Sequence, residues 1–332
     1  MRLLLFMSKP IQIGIIGGSG YVAGELLRIL VNHPDAVINY VQSKTHHGKL
    51  VSAIHNDLEG ECDLVFKENW EPGADLVLLC GGHQQSNLFL SKNTIPIQTK
   101  IIDLSQDFRL GASKYSYGRE FIYGLPEQNK SKIRAGDSIA NPGCFATAIT
   151  LSLIPVIDLI RDDIHIHAIT GSTGSGQSLS ATTNFNWRNG NISVYKSFSH
   201  QHLDEINETL REVFPAFCSR VNFIPMRGNF TRGIFTTLYF KSDLSAEELI
   251  ARFQTRYEQD PFVRVTEKSP GLKQVLNTNK IIIHPSKHGD QVLITSVLDN
   301  LLKGAAGQAV QNMNLLFGLD ECAGLKLKSI AF

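Results

Sequence analysis

Ile11-Gln12-Ile13-Gly14-Ile15-Ile16-Gly17-Gly18-Ser19-Gly20-Tyr21-Val22-Ala23-Gly24-Glu25-Leu26-Leu27-Arg28-Ile29-Leu30 decides the fold of this chain. Ile11 to Ile16 is a short apolar run with the composition of a buried strand. Gly14, Gly17 and Gly20 follow at every third position, with Gly18 and Gly24 adding to them. From Tyr21 to Asn32, Val22, Leu26, Leu27 and Leu30 share one helical face, and His33-Pro34 stops the helix. Ala36 to Gln42 predicts a second strand. Strand, glycine turn, helix and strand make a β-α-β unit, whose turn lets a pyrophosphate approach backbone N–H groups at a helix start. The spacing departs from G-x-G-x-x-G, so the placement of the glycines between strand and helix carries the inference. Gly17, Gly18, Ser19, Gly20, Tyr21 and Val22 are therefore candidate cofactor-binding residues.

The end of the second strand indicates which cofactor. An NAD site places a carboxylate there to bind the ribose hydroxyls. Here the chain reads Val41-Gln42-Ser43-Lys44, and Asp35 falls at the opposite end of the strand. A hydroxyl and an ammonium suit a ribose 2′-phosphate, so Ser43 and Lys44 predict NADP(H). The competing account is a solvated turn with an incidental lysine.

Leu76 to Cys80, Lys100 to Leu104 and Ser138 to Ala140 predict further strands of a doubly wound parallel sheet. The last of these runs into Asn141-Pro142-Gly143-Cys144 and a helix from Phe145 to Leu153. A cysteine at a helix N-terminus meets unpaired N–H groups and the positive end of the dipole, which favour the nucleophilic thiolate. The competing account is a small buried hydrophobe. A catalytic thiolate needs a proton shuttle, and His200-Gln201-His202-Leu203-Asp204-Glu205 supplies two histidines and two acids before a helix. An H-x-H pair can also chelate metal, but no third ligand of comparable signal accompanies it, so no metal is expected. His165/His167 and His284/His288 have the look of ordinary surface histidines. Arg109, in Ser105-Gln106-Asp107-Phe108-Arg109-Leu110, could hold a phosphate or carboxylate bidentately or form a structural pair with Asp107. Gly171 to Ser178 is either an anion-cradling loop or a plain turn.

Beyond the cysteine, Ile164 to Thr170, Gly233 to Lys241, Lys280 to His284 and Gln291 to Leu298 predict strands with few helices between them. Ser245-Ala246-Glu247-Glu248 is a capping box opening a helix toward Gln259. The fold class expected is α/β: a doubly wound Rossmann-type nucleotide domain plus an α+β catalytic domain with a mixed or antiparallel sheet. Residues 1–143 are expected to form the first, with the C-terminal stretch 299–332 packing back on it, and residues 144–298 the second.

Composition fits that division. The chain has 332 residues, 42% of them hydrophobic, enough for two cores. Its 32 basic and 31 acidic residues leave a net charge of +1 and no dense basic run, so nucleic acid is not an expected partner. Five scattered cysteines without a CxxC argue for a reducing cytoplasm rather than a disulfide framework. The apolar run Met1 to Phe6 is too short for a signal or a membrane span, and Met7 is an alternative start.

In combination and order, several segments identify a family. They are Gly17-Gly18-Ser19-Gly20-Tyr21, Asp103 to Leu110, Tyr123-Gly124-Leu125-Pro126-Glu127, Asn141 to Thr147, His200-Gln201-His202 with Glu205-Ile206, and Asp299 to Gln308. From about Ile11 to Gly318 the chain resembles the N-acetyl-γ-glutamyl-phosphate reductases, NADPH enzymes of arginine biosynthesis. Aspartate-semialdehyde dehydrogenases share the wider superfamily. The resemblance implies that Cys144 attacks an acyl phosphate and forms a thioester. It implies that His202, or else His200, is the acid/base, with Glu205 orienting the imidazole. Arg109, Asn141, Gln177, Arg227 and Arg232 would line the substrate, Asn300 would approach the cofactor, and the protein would be a homodimer or homotetramer. The family's usual basic residues are replaced by Gln177 and Gln201, and its Pro-Met-x-Arg-Gly element is longer around Arg227. Arg227 or this loop is expected to touch the N-acyl group, where a positive charge would favour succinyl over acetyl. Alternatives are the same chemistry on an N-succinyl-glutamyl or aminoadipyl phosphate, or a non-catalytic NADP-binding regulatory protein.

Overall fold

The computed structural model describes residues 9–330; Met1 to Phe6 and Met7 lie outside them. Seven strands make the first sheet: β1 (Ile11–Ile16), β2 (Ala36–Gln42), β3 (Leu76–Leu79), β4 (Lys100–Asp103), β5 (Tyr115–Ser116), β6 (Arg119–Tyr123) and β7 (Ser138–Ala140). Their order is β2-β1-β3-β4-β7-β6-β5. All neighbours are parallel except the β5–β6 pair. Parallel neighbours need crossovers, which α1 (Tyr21–Leu30), α2 (Gln85–Lys92) and α3 (Pro126–Ala135) supply in part. The first strand, helix and second strand form where the sequence places them, because the apolar period changes at the glycines. α1 ends at Leu30 with Val31 as its C-cap, slightly before the expected stop at His33-Pro34.

The chain then enters α4 (Cys144–Leu153), which is buried throughout after its first residue. The second sheet contains β8 (Ile164–Thr170), β9 (Ser193–Val194), β10 (Val221–Arg227), β11 (Ile234–Lys241), β12 (Val263–Val265), β13 (Ile281–His288) and β14 (Gln291–Leu298). Its order, β12-β13-β14-β11-β8-β10-β9, mixes parallel and antiparallel pairs. The strand expected to end at His284 continues to His288, since antiparallel pairing with β14 carries it through Pro285. α4, α5 (Phe185–Arg188), α6 (His202–Val213) and α7 (Ala246–Tyr257) belong to this half. The expected capping box is present: Ser245 accepts from the Glu248 N–H, and the Glu248 carboxylate accepts from the Ser245 N–H.

The apolar residues of β8, β11, β13 and β14 alternate between two faces. Ile166, Leu238, Ile283 and Ile294 join α4, α6 and α7 in one core. The other face carries Ile169, Phe235, Ile282 and Leu293, all only half-buried. The final helix, α8 (Ala306–Leu316), returns to the first domain, where Ala309, Val310 and Met313 share a core with Ile13, Leu26 and Leu27. Arg232 strengthens that return: its guanidinium pairs with Glu25 of α1 at 2.7 Å and Asp299 at 2.9 Å.

Candidate active site

Two strand-to-helix turns open toward functional space. At the first, Gly17 has φ +76°, and a Cβ there would lie 2.7 Å from the Gly81 backbone. Gly18 is required for a different reason: a Cβ would collide with Val41 of β2 at 2.1 Å. The N-cap of α1 is Gly20, with no acidic residue in the first turn. The helix start therefore offers unneutralised N–H groups. A cleft of ≈ 480 Å³ lies here, lined by Gly17, Ser19, Ser43, Lys44, Gly81 and Ser86 among others. The Ser43 and Ser19 hydroxyls are 3.4 Å apart, and Lys44 is exposed at the rim. Hydroxyls and an ammonium beside the α1 turn fit a nucleotide bearing a 2′-phosphate; the exposed Glu68, next to the end of β2, also lines the cleft. Gly18, Gly20 and Tyr21 shape the turn without lining the cleft. Val22 does not line the cleft either; its side chain packs on the core beneath α1. Gly81 and Ser86, missed by sequence reasoning, follow the C-terminal end of β3; the Gly81-Gly82 pair after a buried strand was their available signal.

At the second turn the N-cap N–H is already occupied. Glu205 Oε1 accepts from the Gly143 N–H at 2.7 Å and from the Tyr123 hydroxyl at 2.7 Å. Its Oε2 accepts from Arg109 Nη1 at 3.2 Å. Arg109 Nε donates to the Asn141 carbonyl at 2.8 Å, and Nη2 donates to the Leu104 carbonyl at 3.3 Å. The side chains of Glu205, Tyr123 and Arg109 are all buried. The network corrects two expectations. Glu205 does not orient an imidazole, because its oxygens are taken by the Cys144 turn and its supports. Arg109 pairs with Glu205 and two carbonyls, not with Asp107. Asp107 instead caps α2 through the N–H groups of Gln84 and Asn87.

The remaining candidates divide sharply. Asn141 is a strut: its amide donates to the Ala305 carbonyl and its oxygen accepts from Asn312. Arg232 is held by its two carboxylates. Asn300 is buried, accepts from the Gly233 N–H at 2.6 Å and donates to Thr173, so it ties the glycine-serine loop down instead of reaching a cofactor. Gln177 is exposed on that loop. Arg227 stays near the histidines, its guanidinium over the Tyr195 ring at 4.5 Å.

His202 is the histidine beside the cysteine turn. A Cβ on Gly143 would lie 2.4 Å from its Nε2, so only glycine lets the ring approach. Its Nδ1 is buried without a hydrogen-bond partner. His200 packs 4.7 Å away, ring to ring, and its Nδ1 accepts from the His202 N–H, which leaves its proton on Nε2. Burial, reinforced by Arg109, holds the His202 pKa well below the usual 6.5. Burial, Lys196 and Arg227 lower His200 to about 4. Both rings are neutral near pH 7 and able to accept a proton.

Cys144 departs from expectation. Burial pushes its thiol up to about 11, outweighing the Phe145 N–H and Arg109, which favour the thiolate. The helix N-terminus acts in the expected direction but loses to desolvation, so the resting sulfur is a thiol that needs a base. Gly304 also meets this residue; a Cβ there would lie 2.7 Å from Cys144 Cβ. The segment leading into α8 thus walls the sulfur, a role that the resemblance over Asp299 to Gln308 does not assign to any one residue. Among the described residues, no group of three or more His, Cys, Asp or Glu converges as a metal site would.

The chain is similar to known proteins along nearly all of its length. Residues 12–136 match the family model described as semialdehyde dehydrogenase, NAD binding domain, and residues 144–300 match semialdehyde dehydrogenase, dimerisation domain. An N-acetyl-gamma-glutamyl-phosphate reductase of Flavobacterium johnsoniae is 52% identical over 97% of this chain and 100% of its own length. The chain belongs to the N-acetyl-gamma-glutamyl-phosphate reductase family. A member from Parabacteroides distasonis is 48% identical over 97% of this chain and 100% of its own. The reductase fold is shared more widely. Aspartate semialdehyde dehydrogenase II of Vibrio cholerae superposes with a TM-score of 0.70 over 94% of this chain and 99% of its own, at 17% identity. Aspartate semialdehyde dehydrogenase of Candida albicans, solved with NADP, gives 0.68 over 92% and 98% at 13% identity. The protein has semialdehyde dehydrogenase architecture, with an NAD binding domain followed by a dimerisation domain.

Proposed function

We propose that this reductase converts N-acetyl-γ-glutamyl phosphate to N-acetyl-glutamate 5-semialdehyde and phosphate, a step of arginine biosynthesis, with Cys144 as nucleophile and His202 as acid/base. The approach of His202 Nε2 to Gly143, beside the cysteine at the start of α4, carries this assignment. The neutral imidazole takes the Cys144 proton, which a thiol held near 11 does not release unaided. Sulfur attacks the acyl carbon, phosphate leaves, and a thioester remains. The N–H groups of Cys144 and Phe145 stabilise the sulfur anion on either side of that step. The α1 turn with Ser43 and Lys44 would hold NADPH at the cleft, where the bound cofactor would supply the hydride that reduces the thioester. His202 then gives its proton to the tetrahedral oxygen and takes it back as the carbon–sulfur bond breaks. Glu205, Tyr123 and Arg109 fix the Cys144 turn throughout and take no proton.

The half-exposed face of the second sheet supports a homodimer, since the matched family model is a dimerisation domain and apolar side chains stand there without cover. Light scattering at micromolar concentration should give twice the chain mass. Among the described residues no helix is long and apolar enough to cross a membrane, and the scattered free cysteines fit a cytoplasmic location.

The reaction is tested in reverse, with phosphate, NADP⁺ and N-acetyl-glutamate semialdehyde. Phosphate-dependent NADPH formation should fall roughly 10⁴-fold or more in Cys144→Ala while NADP⁺ still binds. Turnover surviving in that variant would remove the thioester route.

A further inference from the structure

Two neighbouring arginines close to the histidines lack an acidic partner. Arg28, Arg109, Arg232, Arg252 and Arg256 each hold a carboxylate. Arg227 and Arg188 hold none among the described residues, as is true of Arg119, Arg134, Arg161, Arg211, Arg220 and Arg264, but these two are neighbours close to the histidines. Arg227 ends β10, stacked on Tyr195, and its Nε is buried with no hydrogen-bond partner. Arg188 is 7% exposed; it donates to the Arg227 carbonyl at 3.2 Å and the Thr182 carbonyl at 2.7 Å. Its own Nε is also buried and unpartnered. Burial and the neighbouring Arg227 lower the Arg188 pKa, so the two cations sense one another.

This pair leads directly to the reacting centre. The Tyr195 ring under Arg227 packs 5.7 Å from His200, and His200 packs 4.7 Å from His202. Two neighbouring guanidiniums without an acid are unfavourable in the free protein and favourable once a carboxylate arrives. Arginine's planar fork suits a carboxylate bidentately. An N-acyl-glutamyl phosphate keeps a carboxylate that does not react. Arg109 and Arg232, the other arginines expected at the substrate, already hold acids of the protein.

We propose that Arg227, braced by Arg188, grips a carboxylate of the non-reacting part of the substrate. The inference rests on the function proposed above. That carboxylate has two possible sources. One is the α-carboxylate common to every N-acyl-glutamyl phosphate; the other is the far end of a dicarboxylic N-acyl group such as succinyl.

The test compares wild type, Arg227→Gln and Arg227→Lys in the reverse reaction, on N-acetyl- and N-succinyl-glutamate semialdehyde. Arg227→Gln should raise KM roughly 10- to 100-fold, the equivalent of one charged hydrogen bond, with kcat and NADP⁺ affinity little changed. Arg227→Lys should recover part of the loss. An equal rise for both aldehydes names the α-carboxylate; a rise confined to the succinyl compound names the acyl carboxylate. Unchanged KM for both, in a wild type that turns them over, overturns the proposal. Calorimetric titration with the unreactive N-acetyl- and N-succinyl-glutamates separates the two ideas. Weaker binding of either to Arg227→Gln supports the carboxylate site even if neither aldehyde reacts, an outcome that would sink the reductase assignment alone. Equal binding to both proteins sinks the site.

Discussion

The turn before α1 and the turn before α4 are built alike and used in opposite ways. Each brings a strand of the first sheet to a glycine N-cap, Gly20 in one and Gly143 in the other. At α1 Gly17 and Ser19 of the preceding turn line a cleft, and the first turn of the helix carries no acidic side chain. At α4 the protein fills that place with Glu205, which binds the Gly143 N–H directly. An open N-terminus attracts a mobile anion; a carboxylate on the N-cap N–H of α4 fixes the turn that presents the sulfur and leaves the Cys144 and Phe145 N–H groups to face it. The difference explains why the cysteine gains little acidity from its helix. Burial opposes the thiolate most strongly, and the carboxylate that orders the turn adds to it.

Removing the base should have the largest effect on the second turn and none on the first. His202→Asn should lower kcat/KM roughly 10²- to 10⁴-fold at neutral pH. Its remaining activity should climb with pH toward the Cys144 value of about 11, because only direct ionisation then supplies thiolate. Wild type should show no loss of activity on titration from about pH 8 to about pH 6.5, since the His202 pKa lies below that range and the ring stays neutral. A pH profile for the variant parallel to wild type would assign the base elsewhere.

Emptying the filled helix start comes next. Glu205→Gln leaves the buried Arg109 cation without its counter-charge, a loss of about 3–5 kcal/mol if no other group compensates. Urea unfolding should register it, kcat should fall, and NADP⁺ affinity should hold. A drop in NADP⁺ affinity as large as the drop in kcat would show that the two turns are coupled. Lys44→Ala acts on the open turn alone: the preference for NADP⁺ over NAD⁺ should shrink roughly 10- to 100-fold with turnover intact.

The smallest effect is expected where the two halves meet. Burial raises the Glu25 carboxyl, but Arg232 and Arg28 outweigh it, and its pKa lies below the usual 4.5. Its contribution to stability is therefore complete above pH 4.5 and lost as pH falls through the lower, folded-state value. Glu25→Gln should cost about 1 kcal/mol or less at neutral pH, and the difference from wild type should vanish in acid. A gap that persists at low pH would mean that packing, not charge, sets the contribution.

Features that depend on neighbours along the chain were legible in the residues alone. The change of apolar period at Gly17 to Gly20 set the first β-α-β unit, and the missing carboxylate after Gln42 pointed to NADP. Asn141-Pro142-Gly143-Cys144 marked the proposed nucleophile, and the segments shared with the reductase family marked the activity. Features that depend on side chains meeting across the fold had to wait for the packing. Arg109 and Glu205 stand 96 residues apart, and neither position carries a local sign of the other. Asn300, Asn141 and Arg232 have the polarity of binding residues, yet each is consumed by a partner inside the protein, because a buried polar group left unpaired is costly. The choice of His202 over His200 was equally hidden. It follows from the absence of a side chain at Gly143, which is visible in the sequence but meaningful only once α6 is packed against α4.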